Sequence, residues 1–361
     1  MPSRESLSPA LTQAFIQLVA KRTGITIREN DQKIFKEVIS ERARLIGLSS
    51  LEDYRQLLAI ESYKSHQEWN SLAVEITNTE SFFFRDKGQF QLLRDYIFPD
   101  LIKRKSETKK IHIYSAGCST GEEPYSIAIL LSTLISDIRE WDLTILGIDI
   151  NSVALEKARK GIYRLWSFRG VDPTIQKNFF KQKNEQYHIT NDIKNMVNFQ
   201  SGNLLDDSFA NPFSTARDID LILCRNVFIY FSNSAIKTVL DKFYDALCPL
   251  GYLMVGHAEL YSQNPSKFRT KMFDESIAYQ RPGDAAVAPR TNLPSTPFRK
   301  ISNQRVVSDD EHQNLDSSLV EANAQMKKAA LTLLRQLPAD TRIAKFGNLT
   351  AAELIQQFEQ D

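Results

Sequence analysis

The sequence predicts an α/β sandwich built on a mostly parallel sheet, with an antiparallel hairpin at one edge and a small helical domain in front. Three observations predict it. Between residues 111 and 257, short apolar runs alternate with stretches of helical pattern, as parallel strands joined by crossover helices require. The segment Phe268 to Arg281 reads as two strands with no helix between them, which fits a hairpin rather than a crossover. No alternating run of β-branched residues interrupts the first eighty residues, where apolar side chains recur at helical spacing.

In the N-terminal part, Phe15, Leu18 and Val19 mark a helix that stops at Gly24. Asp31 is placed to cap a second helix, with Ile34, Phe35, Val38 and Ile39 expected on its buried face and Gly47 at its end. Ser50, Leu51, Glu52 and Asp53 form a capping segment for a third. Five strands are then expected: IHIYSAG from Ile111, LTILGID over 143–149, MVNFQ over 196–200, IDLILC over 219–224 and YLMVGH over 252–257. Helices are expected over 122–136, 152–160 and 234–248. Residues 282–313 are rich in Pro, Ala, Ser and Thr and read as a flexible linker. Helical pattern returns over 314–361 around Leu331, Leu333 and Leu334, as a docking pair or a repeat unit without neighbours. The division that follows is 1–80, 81–281, 282–313 and 314–361.

Composition narrows the function classes. Hydrophobic residues make up 42% of the 361 and charged residues 25%, as in an ordinary globular protein. The net charge of +1 lacks the basic excess of a nucleic-acid binder. Cys118, Cys224 and Cys248 fit no zinc or CxxC spacing and read as free buried thiols in a reducing compartment, so no metal is expected. The N-terminus has no apolar core of signal-peptide type and no run is long enough to span a membrane, so the expected location is cytoplasmic.

Several constellations carry chemistry. Ser115 to Tyr125, SAGCSTGEEPY, follows a strand and opens a helix, and its small residues let a ligand approach the backbone. It lacks the full GxGxxG pattern and the Walker lysine, and its two acids suit a cationic ligand better than a pyrophosphate. Asp149 ends the second strand, where an acid bonds ribose hydroxyls or caps the next helix. Turn and acid together point to a nucleoside-bearing ligand without choosing between a nicotinamide cofactor and S-adenosylmethionine. Asn203-Leu204 follows the third strand, as an adenine-edge reader or a turn. Cys224-Arg225-Asn226-Val227-Phe228-Ile229-Tyr230-Phe231 follows a central strand, with Asn226 placed to hold an amino acid moiety, Tyr230 toward the reacting centre, and Phe228 and Phe231 as core. Thr77 to Asp86 gathers hydroxyls, three phenylalanines that read as core, and Arg85, which taken alone reads as an arginine on a solvated helix face.

Taken in order, TNTESFFFRD, YSAGCSTGEEPYSIA, ILGIDI, ARKGIYR, SGNLL, LILCRNVFIYF and LGYLMVGHAE resemble the CheR-type chemotaxis-receptor glutamate methyltransferases. RTGITI and ERARLIGLSSLEDY resemble that family's helical domain, so the resemblance spans about residues 10–281. It implies a class I methyltransferase fold, S-adenosylmethionine as donor with S-adenosylhomocysteine as product, and the cytoplasmic helical bundle of chemoreceptors as partner. It further implies Thr79, Ser81 and Arg85 at the donor's methyl end, Glu123 (with Glu122 as near alternative) at its amino acid part, and Gly117 in the binding turn. Asp149 falls at the ribose, Asn203 and Leu204 on the adenine side, and Asn226 and Val227 at the next contact. Arg85 and Tyr230 are the implied catalytic pair. Arg42 and Arg44 lie on the helix whose basic face meets the acidic receptor in the family, a solvated face being the alternative; Val38 and Glu41 replace two of the expected basic positions.

The chain departs from the pattern in places. Thr79-Glu80-Ser81 stands where the family often has Asn-Glu-Thr, and GHAEL replaces Gly-His-Ser-Glu-Ser. A small β insertion is expected over about 161–195, where KQKNEQYHITNDIKN lacks the glycine turn associated with gripping a receptor tail. Residues 282–361 fall outside the pattern and are open to a further protein partner. Two competing readings remain: a methyltransferase for another protein or RNA, and a non-catalytic binding module that signals through its tail. Neutral net charge argues against RNA, and Arg85, Asn226 and Tyr230 together argue against a dead enzyme.

Overall fold

The computed structural model describes residues 7–206, 218–257, 259–260, 263, 265–274, 276–283, 342–343, 349–350 and 352. The chain divides into two compact units, Met1–Val287 and Ala288–Asp361.

The first unit opens with four helices, each begun by local chemistry. Helix α1 (Pro9–Thr23) starts where the Ser8 hydroxyl accepts the Leu11 N–H and ends at Gly24, whose φ of 81° is left-handed. Helix α2 (Gln32–Leu45) has Asp31 at its N-cap position, but the side chain makes no capping bond. Its buried stripe is Phe35, Ile39 and Ala43, at i, i+4 and i+8. Ile34 was expected on that stripe and is 64% exposed, because one residue is about 100° around the helix. Helix α3 (Leu51–Ala59) is capped by the Ser50 hydroxyl as expected. A fourth helix, α4 (Tyr63–Ile76), is capped by Ser62 and was not separately expected. Phe15, Ile39, Tyr54 and Leu72 fill the core between the four.

A helical rod absent from the sequence expectations leads into the sheet: α5 (Lys87–Leu92), a π turn over Leu93–Ile97, and α6 (Phe98–Arg104). Then follow β1 (Lys110–Ala116), α7 (Glu122–Leu134), β2 (Asp142–Asp149) and α8 (Ser152–Lys160). The insertion comes next, with β3 (Ile162–Tyr163), α9 (Pro173–Phe179), β4 (Phe180–Lys183), β5 (Gln186–Ile189) and α10 (Asn191–Lys194). The main sheet resumes with β6 (Val197–Ser201), β7 (Ile219–Cys224), α11 (Asn233–Ala246), β8 (Leu247–Val255), β9 (Arg269–Met272) and β10 (Ile277–Gln280).

The seven-stranded sheet runs β6-β2-β1-β7-β8-β10-β9. Its first five strands are parallel, and β10 pairs antiparallel with both β8 and β9. This is the class I S-adenosylmethionine-dependent methyltransferase fold. Both faces of the centre are covered, so β7 is buried along its whole length and reads as an unbroken apolar run. Side chains of β1 alternate between two layers: Ile111 and Ile113 join one core, Tyr114 and Ala116 the other. Strand order reverses at β1 and β7, which opens a crevice at their carboxyl ends. The insertion is a small antiparallel sheet ordered β3-β5-β4. Its hairpin turns through Asn184 at φ 55°, so asparagine takes a left-handed conformation that glycine would take freely.

In the second unit, β11 (Arg342–Ile343) and β12 (Leu349–Thr350) pair antiparallel. These residues were expected to be helical; a paired ladder replaces that expectation at this place. The linker over 282–313, beyond residue 283, and the leucines near 331 lie outside the described residues.

Candidate functional site

A cavity opens at the carboxyl end of the sheet, at the β1/β7 switch point. About 1180 Å³ of its space is free of atoms, open mouth included. Four strand ends build its floor: Gly117 to Ser119 after β1, Asp149 ending β2, Gly202 to Leu204 after β6, and Arg225 to Val227 after β7. The segment joining α4 to α5, residues 77–86, forms a strap along one side.

The floor is fixed by backbone bonding. Gly117 and Cys118 N–H groups both donate to the Ile148 carbonyl, at 2.7 and 2.9 Å, and tie the first turn to β2. Gly117 has φ 71°, and a Cβ there would meet Val227 Cγ2 at 2.3 Å, so no side chain fits. Asp149 accepts the Ser119 N–H on one oxygen and the Asn151 N–H on the other, both at 2.8 Å. Burial raises its carboxyl above the usual range, against the pull of these backbone bonds. The Asn203 amide is committed on both ends: its NH2 donates to the Arg22 carbonyl at 2.6 Å and its oxygen accepts the Leu205 N–H. Asn226 stands at φ 59°. That strained turn is held by Glu259, which accepts the N–H groups of Asn226, Ile229 and Gly256. Glu259 was missed in the sequence, although it lies in the GHAEL stretch.

Two neighbouring acids at the start of α7 have different duties. Glu123 lines the cavity, accepts the Ser115 hydroxyl at 2.7 Å, and pairs with Arg225 at 3.0 Å. Glu122 is buried away from the cavity, where it accepts hydroxyls from Thr120, Ser167 and Ser81. Desolvation raises its carboxyl above the ordinary value. Of the two alternatives, Glu123 is the one with access to a ligand.

Along the strap, Ser81 and Arg85 line the cavity, whereas Thr79 stands behind the wall, its carbonyl bonded by the Ser119 hydroxyl at 2.9 Å. Arg85 donates to the Glu80 carbonyl at 3.1 Å and lies 5.6 Å from the Phe82 ring centroid. No carboxylate pairs with it among the described residues. Arg225, also on the wall, is buried and bonded through each of its three nitrogens, to Gln89, Glu123 and the Arg85 carbonyl. It therefore holds the strap to β7. Nothing in the sequence separates this buried arginine from an exposed one except its place at a strand end.

The helical part closes the cavity. Ile25 bridges Phe231, Thr26 donates to the Tyr230 carbonyl at 2.8 Å, and Asn151 donates to the Thr77 hydroxyl at 2.8 Å. Thr23, Ile25 and Ile76 thereby join the cavity wall, a contribution the motifs alone did not reveal. Tyr230 lines the same space, its hydroxyl accepting from Asn78 at 3.3 Å. Arg42 turns inward instead of facing outward: it makes a two-pronged bond to Glu68 at 2.8 and 2.7 Å, and Tyr54 donates to the same carboxylate. Arg44 pairs with Glu41 on the same helix.

Cys118 reaches the cavity, but burial raises its thiol well above its ordinary value, so it offers no thiolate. Among the described residues, no group of His, Cys, Asp and Glu gathers to hold a metal ion, and no helix is long and apolar enough to cross a membrane. The residues fit S-adenosylmethionine: Gly117 gives the close backbone approach, Asp149 an acid at the end of β2, and Glu123 an anionic group for a cationic donor.

Comparison with known proteins places this arrangement. Residues 79–277 match the family model described as CheR methyltransferase, SAM binding domain. The chain is 32% identical to a chemotaxis protein methyltransferase of Escherichia coli (strain K12), over 74% of this chain and 90% of that protein. It is 31% identical to a chemotaxis protein methyltransferase of Borreliella burgdorferi, over 69% of this chain and 87% of that one. A third relative, chemotaxis protein methyltransferase 2 of Vibrio cholerae, is 28% identical over 73% of this chain and 89% of its own length. With the fold and the cavity already in place, these matches show that the chain belongs to the CheR methyltransferase family and is an S-adenosylmethionine-dependent methyltransferase.

Proposed function

We propose that the enzyme methylates glutamate side-chain carboxylates on the cytoplasmic helical bundle of chemoreceptors, the methyl-accepting chemotaxis proteins, giving glutamate methyl esters for sensory adaptation. The observation that carries this reading is Arg85: a guanidinium on the cavity wall whose described partners are a carbonyl and a ring, leaving its fork open to a carboxylate.

When bound, S-adenosylmethionine supplies an electrophilic methyl group on a sulfonium. Asp149 would accept its ribose hydroxyls and Glu123 its ammonium, while Gly202 to Leu204 would flank the adenine. The Asn203 amide spends one N–H on the Arg22 carbonyl and one lone pair on the Leu205 N–H, which orients it, and Asn203 and Leu204 would meet the adenine together. Asn226, Val227 and Ser81 complete the wall on the amino acid side. Thr79 would act from behind by setting Ser119.

An acceptor glutamate has a reference pKa of about 4.3 and is ionised at neutral pH, so no general base is required. What the chain must supply is aim and electrostatics. Arg85 would fix both oxygens of the acceptor, and Tyr230, on the same wall, would align it. Arg225 keeps Arg85 in place through its backbone carbonyl. The neutral net charge favours a protein acceptor over RNA. The enzyme is read as working in the cytoplasm, where chemoreceptors expose their methylated helices. Residues 314–361, outside the family match, are read as a segment for a further protein partner.

Methyl-labelled S-adenosylmethionine incubated with chemoreceptor cytoplasmic fragments tests this reading. Label that enters the receptor and leaves as methanol in mild alkali is the expected result. Label stable to alkali, or none despite donor binding by calorimetry, would overturn it.

A further inference from the structure

Between β3 and α9, residues 165–168 form a short 3-10 turn that carries two large apolar side chains into solvent: Leu165 is 65% exposed and Trp166 71%. The turn is pinned in place. Phe83 N–H donates to the Ser167 carbonyl at 2.9 Å, the Ser167 hydroxyl bonds the buried Glu122, and Phe168 stacks on Phe83 at 5.0 Å. An exposed tryptophan on a rigid turn marks a contact surface more strongly than one on a loose loop, because ordering it costs little further entropy.

The turn leads straight to the reacting end of the cavity. Arg169 lies 4.5 Å from the Trp166 ring centroid and 3.9 Å from that of Phe82, and it pairs with Glu80 at 3.0 Å. Phe82 in turn carries Arg85. The result is a continuous stack, Trp166–Arg169–Phe82–Arg85, from an exposed apolar lip to the open guanidinium. Arg164 beside Leu165 and Lys87 beside Gly170 add exposed positive charge. Glu80, Asp86 and Asp172 are the nearby acids; the first is paired with Arg169, the second with His257, and the third caps α9.

We propose that this lip docks the acceptor: an amphipathic, glutamate-bearing receptor helix that lays apolar side chains on Leu165 and Trp166 and turns its acids toward Arg169 and Arg85. The inference rests on the reading of function above. Charge complementarity selects an acidic helix, and the direction of the stack gives its register, because apolar contact at one end delivers a carboxylate at the other. Arg42 is turned inward to the buried Glu68, so that arginine adds nothing to this surface.

The test is Leu165→Ala with Trp166→Ala in the full chain, assayed with receptor cytoplasmic fragments. Both side chains are exposed, so the melting temperature and the donor Kd are expected to hold. KM for the receptor is expected to rise on the order of 10-fold, as for loss of an aromatic anchor, with kcat little changed. Arg169→Gln is the second variant, expected to raise the same KM and weaken its salt dependence. Unchanged KM in both variants, while the unaltered enzyme forms esters, would overturn the lip alone. A shift in sedimentation with unchanged KM would hand the surface to a second copy of the chain and also overturn it. Absence of esters with the unaltered enzyme would overturn the function and the lip together.

Discussion

The N-terminal bundle and the strap that follows it each carry an arginine that motif and resemblance would send to a ligand, and the two meet opposite fates. Arg42 in α2 is closed: Glu68 takes its fork, Tyr54 completes the carboxylate, and hydrogen bonding to Glu68 raises the arginine's already high pKa. Arg85 is open: among the described residues it is held by a carbonyl and a ring. Arg42 sits inside a regular helix, whereas Arg85 lies in the strap between Phe84 and Asp86, both at positive φ. The difference is supplied from far along the chain, by Glu68 in one case and by the absence of a described carboxylate in the other. A charge in a sequence becomes a site only when folding leaves it without an internal partner.

Removing each arginine should therefore damage different quantities. Arg85→Ala should lower kcat about 10³-fold, as for loss of a preorganised electrostatic group, with the melting temperature nearly unchanged. Single-turnover transfer to receptor fragments checks this, and normal turnover would break the contrast at once. Arg42→Ala should instead destabilise the fold by about 3 kcal/mol, because it strands Glu68 in the bundle with only Tyr54 for company. Urea unfolding measures it. Arg42→Met with Glu68→Leu should recover much of that loss, since paired apolar replacement removes both desolvation costs.

What was legible in the sequence follows the same division. Strand ends announce themselves, because a buried parallel strand is an apolar run and its carboxyl end is where polar residues begin. Asp149, Gly117 and Asn226 were placed on the cavity for that reason. Caps written in local chemistry, Ser50 and Gly24, were equally readable. Long-range partnership was not. Nothing near Arg42 names Glu68, nothing near Arg225 names Gln89 or Glu123, and nothing in the CheR-like motifs shows that Ile25 reaches Phe231 to roof the cavity. The rod from Lys87 to Arg104 was missed because a π turn shifts its apolar period partway along.

Glu123 and Glu122 give the same contrast at adjacent positions. Glu123→Gln removes one of the cavity's carboxylates, the one read as meeting the donor's ammonium, and should weaken donor affinity about tenfold, in line with about 1.5 kcal/mol for a charged hydrogen bond. It should also soften the fold, since Arg225 loses its nearest carboxylate. Glu122→Gln should leave donor Kd in place, because that side chain faces Thr120, Ser167 and Ser81 and not the cavity. Calorimetry on the two variants separates the roles, and equal losses would erase the distinction.

Glu122 carries the smallest effect and the clearest sign. Burial raises its folded pKa above the ordinary carboxylate value, so the native state holds its proton longer than the unfolded chain does. Stability from that proton is fully present below the unfolded pKa and is lost as pH rises through the folded one. Asp149 and Glu259 are raised in the same direction, so the whole protein cannot isolate the group, but the comparison of wild type with Glu122→Gln can. The glutamine variant should match or trail wild type in acid and gain on it as pH climbs from about 4.5 to neutrality, because an amide keeps the hydroxyl partners without a charge to desolvate. Urea midpoints across that range decide it. A gap that is flat with pH would mean that Glu122 ionises alike in both states and that its three hydroxyls fully offset its burial.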